Sequence, residues 1–271
     1  MKIKILILLL AVIISSCSTC NQEEEATQNS MLSDHSHTMA TLYSFYAEEY
    51  RGLCYQAYNL AQERVAALHA EYPERKDFAI VVDIDETLLD NSPHQALSIV
   101  TDSAYPYMWN EWCNLEKAKA VPGAVEFLQY ADELGFNIFY VSNRKDKYVQ
   151  TSTMNNLKNV GFPQVDESHI LLKLELSDEN PDPSNKQMRR DLITANGFEI
   201  VLLIGDNLGD FYTDEQDHVA RSEQLESMKE EFGRKFIILP NAMYGNWANS
   251  LGITDPPTID SLLTDMIPAF N

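Results

Sequence analysis

The chain has 271 residues, 45% of them hydrophobic and 23% charged, enough to bury one full core. Its formal charge is −21, and without a leader carrying Lys2 and Lys4 there remain 18 basic against 41 acidic side chains, a net of −23. So acidic a surface, with no basic stripe, excludes polymeric nucleic acid as a partner, while a small phosphorylated ligand stays compatible wherever a local cation overrides the global field.

The opening segment, MKIKILILLLAVIISSCSTC, begins with two lysines and continues as an apolar run from Ile5 to Ile14. That run is too short to span a bilayer comfortably, so residues 1–16 read as a signal peptide. Ile14-Ser15-Ser16-Cys17 resembles the lipobox of bacterial lipoproteins, which implies lipidation at Cys17 and a membrane anchor. Residues 17–38 are polar and acidic and read as a flexible tether, in which His35 and His37 are solvated rather than metal ligands. Export implies an oxidising compartment. Cys54 and Cys113 then fit either a bridge or two free thiols, and spacing does not decide between them.

From 39 to 73 the apolar residues fall at helical spacing (Leu42, Phe45, Tyr46, Leu53, Ala57, Leu60, Val65, Leu68) until Pro73 stops the run. The tyrosines at 43, 46, 50, 55 and 58 read as core packing. Beyond Pro73 the period changes. FAIVVDID (78–85) reads as a buried strand, followed by a modest insert at about 88–121. PGAVEFLQYADELG predicts a helix with Pro122 near its start and Gly135 as its stop. Strand FNIFYVSN, a helix over 146–160, strand HILLKL, an acidic surface loop over 177–184, and a helix over 185–196 follow. Strands FEIVLLIGD and KFIILP complete a core over 74–245, and 246–271 form a tail. Short apolar strands alternating with amphipathic helices predict an α/β fold, a parallel sheet with helices on both faces plus the N-terminal helical element.

In such a sheet ligands bind beyond the carboxyl ends of the strands. Asp83 and Asp85 end the first strand, and residues i and i+2 of an extended chain point the same way. Ser142, Asn143 and Arg144 end the next, Asp206 and Asp210 follow another, and Lys186 opens the helix before it. Singly these are modest signals. Their order and shared position are the stronger one.

Asp83-Ile84-Asp85-Glu86-Thr87, then Ser142, Lys186 and Gly205-Asp206-Asn207-Leu208-Gly209-Asp210 resemble the four ordered motifs of the haloacid dehalogenase (HAD) superfamily. The D-x-D-E-T variant, Asp90-Asn91-Ser92-Pro93, Ser142-Asn143-Arg144 and the lipoprotein leader are similar to the class C acid phosphatases, a branch that includes 5′-nucleotidases of the bacterial outer membrane. The resemblance implies a HAD-like Rossmannoid core with a small cap, and magnesium-dependent hydrolysis of phosphomonoesters through an aspartyl-phosphate. Asp83 is then the nucleophile and Asp85 the general acid, while Lys186 neutralises charge and Ser142 with Asn143 hold phosphoryl oxygens. The implied magnesium ligands are Asp83, the Asp85 backbone carbonyl, Asp206 and Asp210. Trp109 and Tyr244 match stacking positions for a nucleobase, so nucleoside monophosphates and nicotinamide mononucleotide are the implied substrates. It further implies a lipid-anchored protein of the bacterial cell envelope, at the outer membrane, and a homodimer through the N-terminal helical part. The alternatives are a HAD phosphotransferase, a sugar-phosphate phosphatase, and a non-catalytic surface-binding lipoprotein.

Overall fold

The computed structural model describes residues 37–173, 184–214, 217–253 and 256–266. The expected signal peptide, Cys17, His35, most of the tether and nearly all of the acidic loop lie outside the described residues. The chain divides into two compact units, one of residues 40–251, the other of residues 1–39 with 252–271. No helix among the described residues is long and apolar enough to cross a membrane.

Helix α1 (37–46) and helix α2 (Glu48–Glu71) are separated at Ala47, whose backbone is extended. Apolar periodicity alone predicts one continuous helix here. Glu48 and Glu49 explain a fresh start, because acidic residues in a first turn complement the helix dipole. The buried face of α2 carries Tyr50, Cys54, Tyr58, Ala61, Val65 and Leu68, while Tyr43, Tyr46 and Tyr55 are exposed. Cys54 and Cys113 are both buried and free. Burial pushes their thiols up to about 11 and about 12, which makes them inert.

Five parallel strands form the sheet in the order β5-β4-β1-β6-β7. They are β1 (Phe78–Val82), β4 (Asn137–Lys145), β5 (Ile170–Lys173), β6 (Glu199–Gly205) and β7 (Phe236–Ile238). All five residues of the central β1 are buried, and Ile80 lies between Ile138 and Leu202. Alternation sends Phe78, Ile80 and Val82 to one face with Tyr58, Val65, Phe127 and Leu128. Ala79 and Val81 go to the other with Ile193, Phe211 and Phe236. Each fully buried aliphatic chain contributes about 1.5–3 kcal/mol, so the two layers hold every strand end in place.

The insert is a two-stranded ribbon, β2 (Leu89–Asp90) with β3 (Lys119–Ala120), enclosing α3 (Ser92–Val100) and α4 (Trp109–Leu115). Helices α5 (Ala124–Glu133), α6 (Asp146–Val160) and α7 (Gln187–Ala195) cross between strands. Asn156 locks the insert onto α6, accepting from Ala118 N and donating to Ala118 O at 3.1 and 2.9 Å. Helix α8 (His218–Met228) begins where the Asp217 carboxylate accepts from two backbone N–H groups, and α9 (Asn246–Ser250) follows β7. The other unit contains α10 (Pro256–Asp265).

Candidate active site

Beyond β1 the chain closes a tight loop in which Leu88 N and Leu89 N donate to Ile84 O and Glu86 N donates to Leu89 O, all at 2.9 Å. Glu86 takes a left-handed backbone with φ 57°. Such a conformation costs a non-glycine residue about 1–2 kcal/mol. The buried Glu86 carboxylate offsets it by accepting from Asn91 N at 2.8 Å and Nδ2 at 3.3 Å. Burial pushes the Glu86 carboxyl well above the usual range, and the charges of Asp85 and Asp206 push it further.

Asp83 is buried, and its N–H extends the ladder to Ile204 O at 2.9 Å. The Lys186 ammonium, also buried, sits between Asp83 Oδ1 and Asp210 Oδ1, the latter at 2.6 Å. Carboxylate oxygens of Asp83, Asp206 and Asp210 lie within 4.8 Å of one another. Asn241 Nδ2 donates to Asp206 Oδ2 at 2.7 Å, and Asn207 N donates to Asp210 Oδ2 at 2.9 Å. Glycine at 205 permits the approach, because a Cβ there would overlap the Asp210 side chain from Cβ to Oδ2.

Three carboxylates against one ammonium leave the cluster under-neutralised. Burial, with the Asp210 and Asp85 charges, outweighs Lys186 and raises Asp83 to about 7. Burial raises Asp206 well above its ordinary range, and Asp210 and Asp83 add to that. Burial opposes the Lys186 charge, yet Asp210 and Asp83 together hold the ammonium above its ordinary range. Protonation and cation binding are the two ways to relieve such crowding. The donor set is all oxygen and suits a hard divalent cation held by Asp83, Asp206 and Asp210.

Asp85 is partly exposed and bonded to different partners. Its Oδ1 accepts from Arg144 Nε at 2.9 Å, Arg144 Nη2 at 2.8 Å and Asn91 Nδ2 at 2.9 Å. Its Oδ2 accepts from Ser142 Oγ at 3.3 Å. Arg144 is buried, and Asp85 outweighs the burial to hold its guanidinium charge firmly. Helix α7 fastens the end of β4 and the turn after β6. Arg189 donates to Ser142 O at 2.6 Å and to Asn143 Oδ1 at 2.7 Å. Arg190 donates to Asp210 O at 2.9 Å and to Gly209 O at 3.2 Å.

Asp83, Asp206, Asp210 and Lys186 are thus gathered into one cluster, with Asp85 and Ser142 bonded to each other beside it. Asn143 is exposed and held by Ser184 O at 3.0 Å as well as by Arg189. Trp109 is half-buried, its ring facing the Arg144 guanidinium at 5.6 Å and the His94 ring at 5.0 Å. Tyr244 is 37% exposed, in the loop between β7 and α9. The sequence places Arg144 and Asn91 inside recognised motifs but gives them no role, and it offers none for Arg189, Arg190 or Asn241. Arg144 lies two residues beyond Ser142 on the same strand end, the signal by which its place at the site could be read. Arg189 and Arg190 gave no such signal, since helix arginines are normally solvated.

A profile described as HAD superfamily, subfamily IIIB (acid phosphatase) matches residues 9–247. The chain is 39% identical to the class C acid phosphatase of Bacillus anthracis, with a TM-score of 0.77 over 89% of this chain and 99% of that one. A second structure of that phosphatase, with tungstate bound, matches equally. Acid phosphatase 1 of Solanum lycopersicum is 28% identical over 178 residues, 61% of this chain and 66% of the relative. A stem 28 kDa glycoprotein of Glycine max is 31% identical over 137 residues, 48% of this chain and 51% of the relative. The chain therefore spans about half to two thirds of the length of these curated relatives.

Proposed function

The chain belongs to the acid phosphatases of HAD subfamily IIIB, and from that premise we propose that it hydrolyses phosphomonoesters at the carboxyl ends of β1, β4 and β6. The observation that carries this reading is the Lys186 ammonium between the buried Asp83 and Asp210, whose carboxylates cluster with that of Asp206 while Asp85 follows Asp83 by two residues. A phosphomonoester dianion repels nucleophiles, so its phosphorus must be approached where charge is neutralised.

Asp83 is the nucleophile. Its carboxylate oxygen bonds to phosphorus as the bond to the leaving oxygen breaks, and Asp85 gives that oxygen a proton. Water then attacks the aspartyl-phosphate, Asp85 takes the proton back, and the bond to Asp83 breaks. Lys186 orients the nucleophile and balances the arriving phosphate, and the Ser142 hydroxyl donates to a phosphoryl oxygen. Magnesium, held by Asp83, Asp206, Asp210 and the Asp85 carbonyl, would supply positive charge to the carboxylates and phosphoryl group. Tungstate is an oxyanion like phosphate, and its presence in the Bacillus anthracis relative supports an oxyanion site here.

Asp83→Asn is expected to abolish p-nitrophenyl phosphate turnover while far-ultraviolet circular dichroism stays unchanged; retained turnover removes Asp83 as nucleophile. EDTA is expected to silence the enzyme and magnesium to restore it, and indifference to both removes the cation.

The same reading extends to nucleoside monophosphates and nicotinamide mononucleotide as substrates, with Trp109 and Tyr244 stacking on the base. Tyr244→Ala should then raise KM for nucleotides more than for aryl phosphate. Lipid anchoring through Cys17 at the outer membrane is part of the proposal, and Cys17→Ser should move the protein to the soluble fraction. So is a homodimer through the N-terminal helices, whose Leu42, Phe45, Tyr46 and Leu53 are exposed; light scattering at the monomer mass would reject it.

A further inference from the structure

We infer that Arg144 and Asn91 are positioning residues that clamp one oxygen of Asp85, so that the other, Oδ2, carries the catalytic proton. This rests on the reading of Asp85 as general acid. The two carboxylate oxygens are unequal. Oδ1 accepts three N–H donors at 2.8–2.9 Å, a crowd that leaves no room for a proton. Among the described residues Oδ2 accepts only the long bond from Ser142, a hydroxyl that the phosphoryl group is expected to take over.

Both arms of the clamp are themselves anchored. Arg144 Nη1 donates to Thr153 Oγ1 at 3.1 Å, and the side chain is 1% exposed, so the guanidinium does not swing. The Asn91 amide oxygen accepts from Trp112 Nε1 at 2.8 Å and from Arg144 Nη2 at 3.4 Å. The Asn91 N–H is fixed by Glu86. With amide orientation set by Trp112, Asn91 Nδ2 points at Asp85. The carboxylate is held in one plane, and Oδ2 is the oxygen it leaves to a leaving group. Proton transfer then needs no rotation of Asp85: its Oδ2–H bond breaks as the leaving oxygen gains the proton.

A clamp that acts through a general acid has a distinct kinetic signature. It matters for an alkoxide leaving group, which must be protonated, and little for p-nitrophenolate, which departs as the anion. The test compares kcat/KM for 5′-AMP and p-nitrophenyl phosphate, a ratio that reports the first phosphoryl transfer. Arg144→Met is expected to lower the 5′-AMP value by about 30–100-fold and the aryl value by under about 3-fold, the scale of a misplaced catalytic group. Arg144→Lys, which keeps charge without the fork, should fall between wild type and Arg144→Met. On an Asp85→Asn background, Arg144→Met should change neither value by more than about 2-fold. Equal losses for both esters, or a full further loss in the double variant, would overturn the proposal. Should Arg144→Met fail to fold, Asn91→Ala and Trp112→Phe carry the same comparison from the other arm: an ester-selective loss supports the clamp and an even loss rejects it. If Asp85→Asn alone slows both esters equally, Asp85 is not the acid, and the fault lies in the underlying reading rather than in the clamp.

Discussion

Gly205→Ala tests whether Asp210 belongs to the cation site, since it moves that carboxylate without touching a charge. Gly205 ends strand β6 and has no left-handed backbone, so alanine itself costs the strand nothing. The added methyl would, however, lie closer than 3.0 Å to the Asp210 side chain, and its Cβ and Cγ are among the atoms met. Carbon contacts settle near 3.5–4.0 Å, so Asp210 must retreat by about 1 Å. That retreat strains two charge-assisted bonds, from Lys186 at 2.6 Å and from Asn207 N at 2.9 Å. Overpacking costs about 1–3 kcal/mol, and the two weakened bonds bring the destabilisation to about 2–5 kcal/mol. Loss of one ligand from its place should raise the magnesium concentration for half-maximal activity by about 10–100-fold. Titrating activity and Tm against magnesium reads both effects. An unchanged magnesium requirement with a lowered Tm would refute the reasoning, because Asp210 would then be a partner of Lys186 alone.

Lys186→Met leaves three crowded carboxylates without their ammonium and should destabilise the metal-free protein by about 3–5 kcal/mol at pH 8. The loss should shrink at pH 5, where protons replace the ammonium; equal losses at both would count against the cluster. Asp83 rises from the ordinary 3.8 to about 7 in the metal-free fold, so the folded state holds an extra proton between those values. Its stabilising contribution is complete below about pH 4 and is lost as pH rises through about 7. In EDTA, Tm should therefore fall from pH 5 to pH 8 less steeply in Asp83→Asn than in wild type, and parallel slopes would reject the raised carboxyl. Ile80→Ala, between Ile138 and Leu202 at the centre of the sheet, should cost about 2–5 kcal/mol in urea unfolding. Its KM should stay within about 2-fold of wild type if the site is carried by the strand ends rather than by this core position.

The strands were legible because a buried parallel strand has a simple signature, a short unbroken apolar run such as FAIVV between turn signals. The α6 helix was equally legible, since its polar and apolar residues alternate at helical spacing up to Gly161. The insert was not. Helices α3 and α4 are nine and seven residues long, and runs that short show no period. The break at Ala47 escaped for a similar reason, since apolar spacing continues across it. Within the site, the carboxylates could be found because an acidic pair after a buried strand is costly unless used. Arg189 and Arg190 could not, because two adjacent basic residues on a helix usually include one in solvent, whereas here both are buried against backbone carbonyls, of Ser142 in β4 and of Asp210 beyond β6.

Those hidden cations resolve the conflict between an acidic protein and an anionic substrate. Of the chain's 20 basic residues, Arg144, Lys186, Arg189 and Arg190 are buried at the strand ends, each bonded to a carboxylate or carbonyl of the site. Surface carboxylates more than about 8–10 Å away are screened by physiological salt, whereas buried charges are not. A formal charge of −21 therefore says little about the field at Asp83. The local sign is set by the few groups that salt does not reach, and the four cations differ in what they leave available. Arg189 and Arg190 spend donors on backbone carbonyls and the Asn143 amide, Arg144 spends its own on Asp85, Asn91 and Thr153, and of the four only Lys186 bonds Asp83. Buried positive charge is thus placed among the acids themselves, Lys186 between Asp83 and Asp210 and Arg144 on Asp85, and that placement lets a dianion approach a cluster of carboxylates.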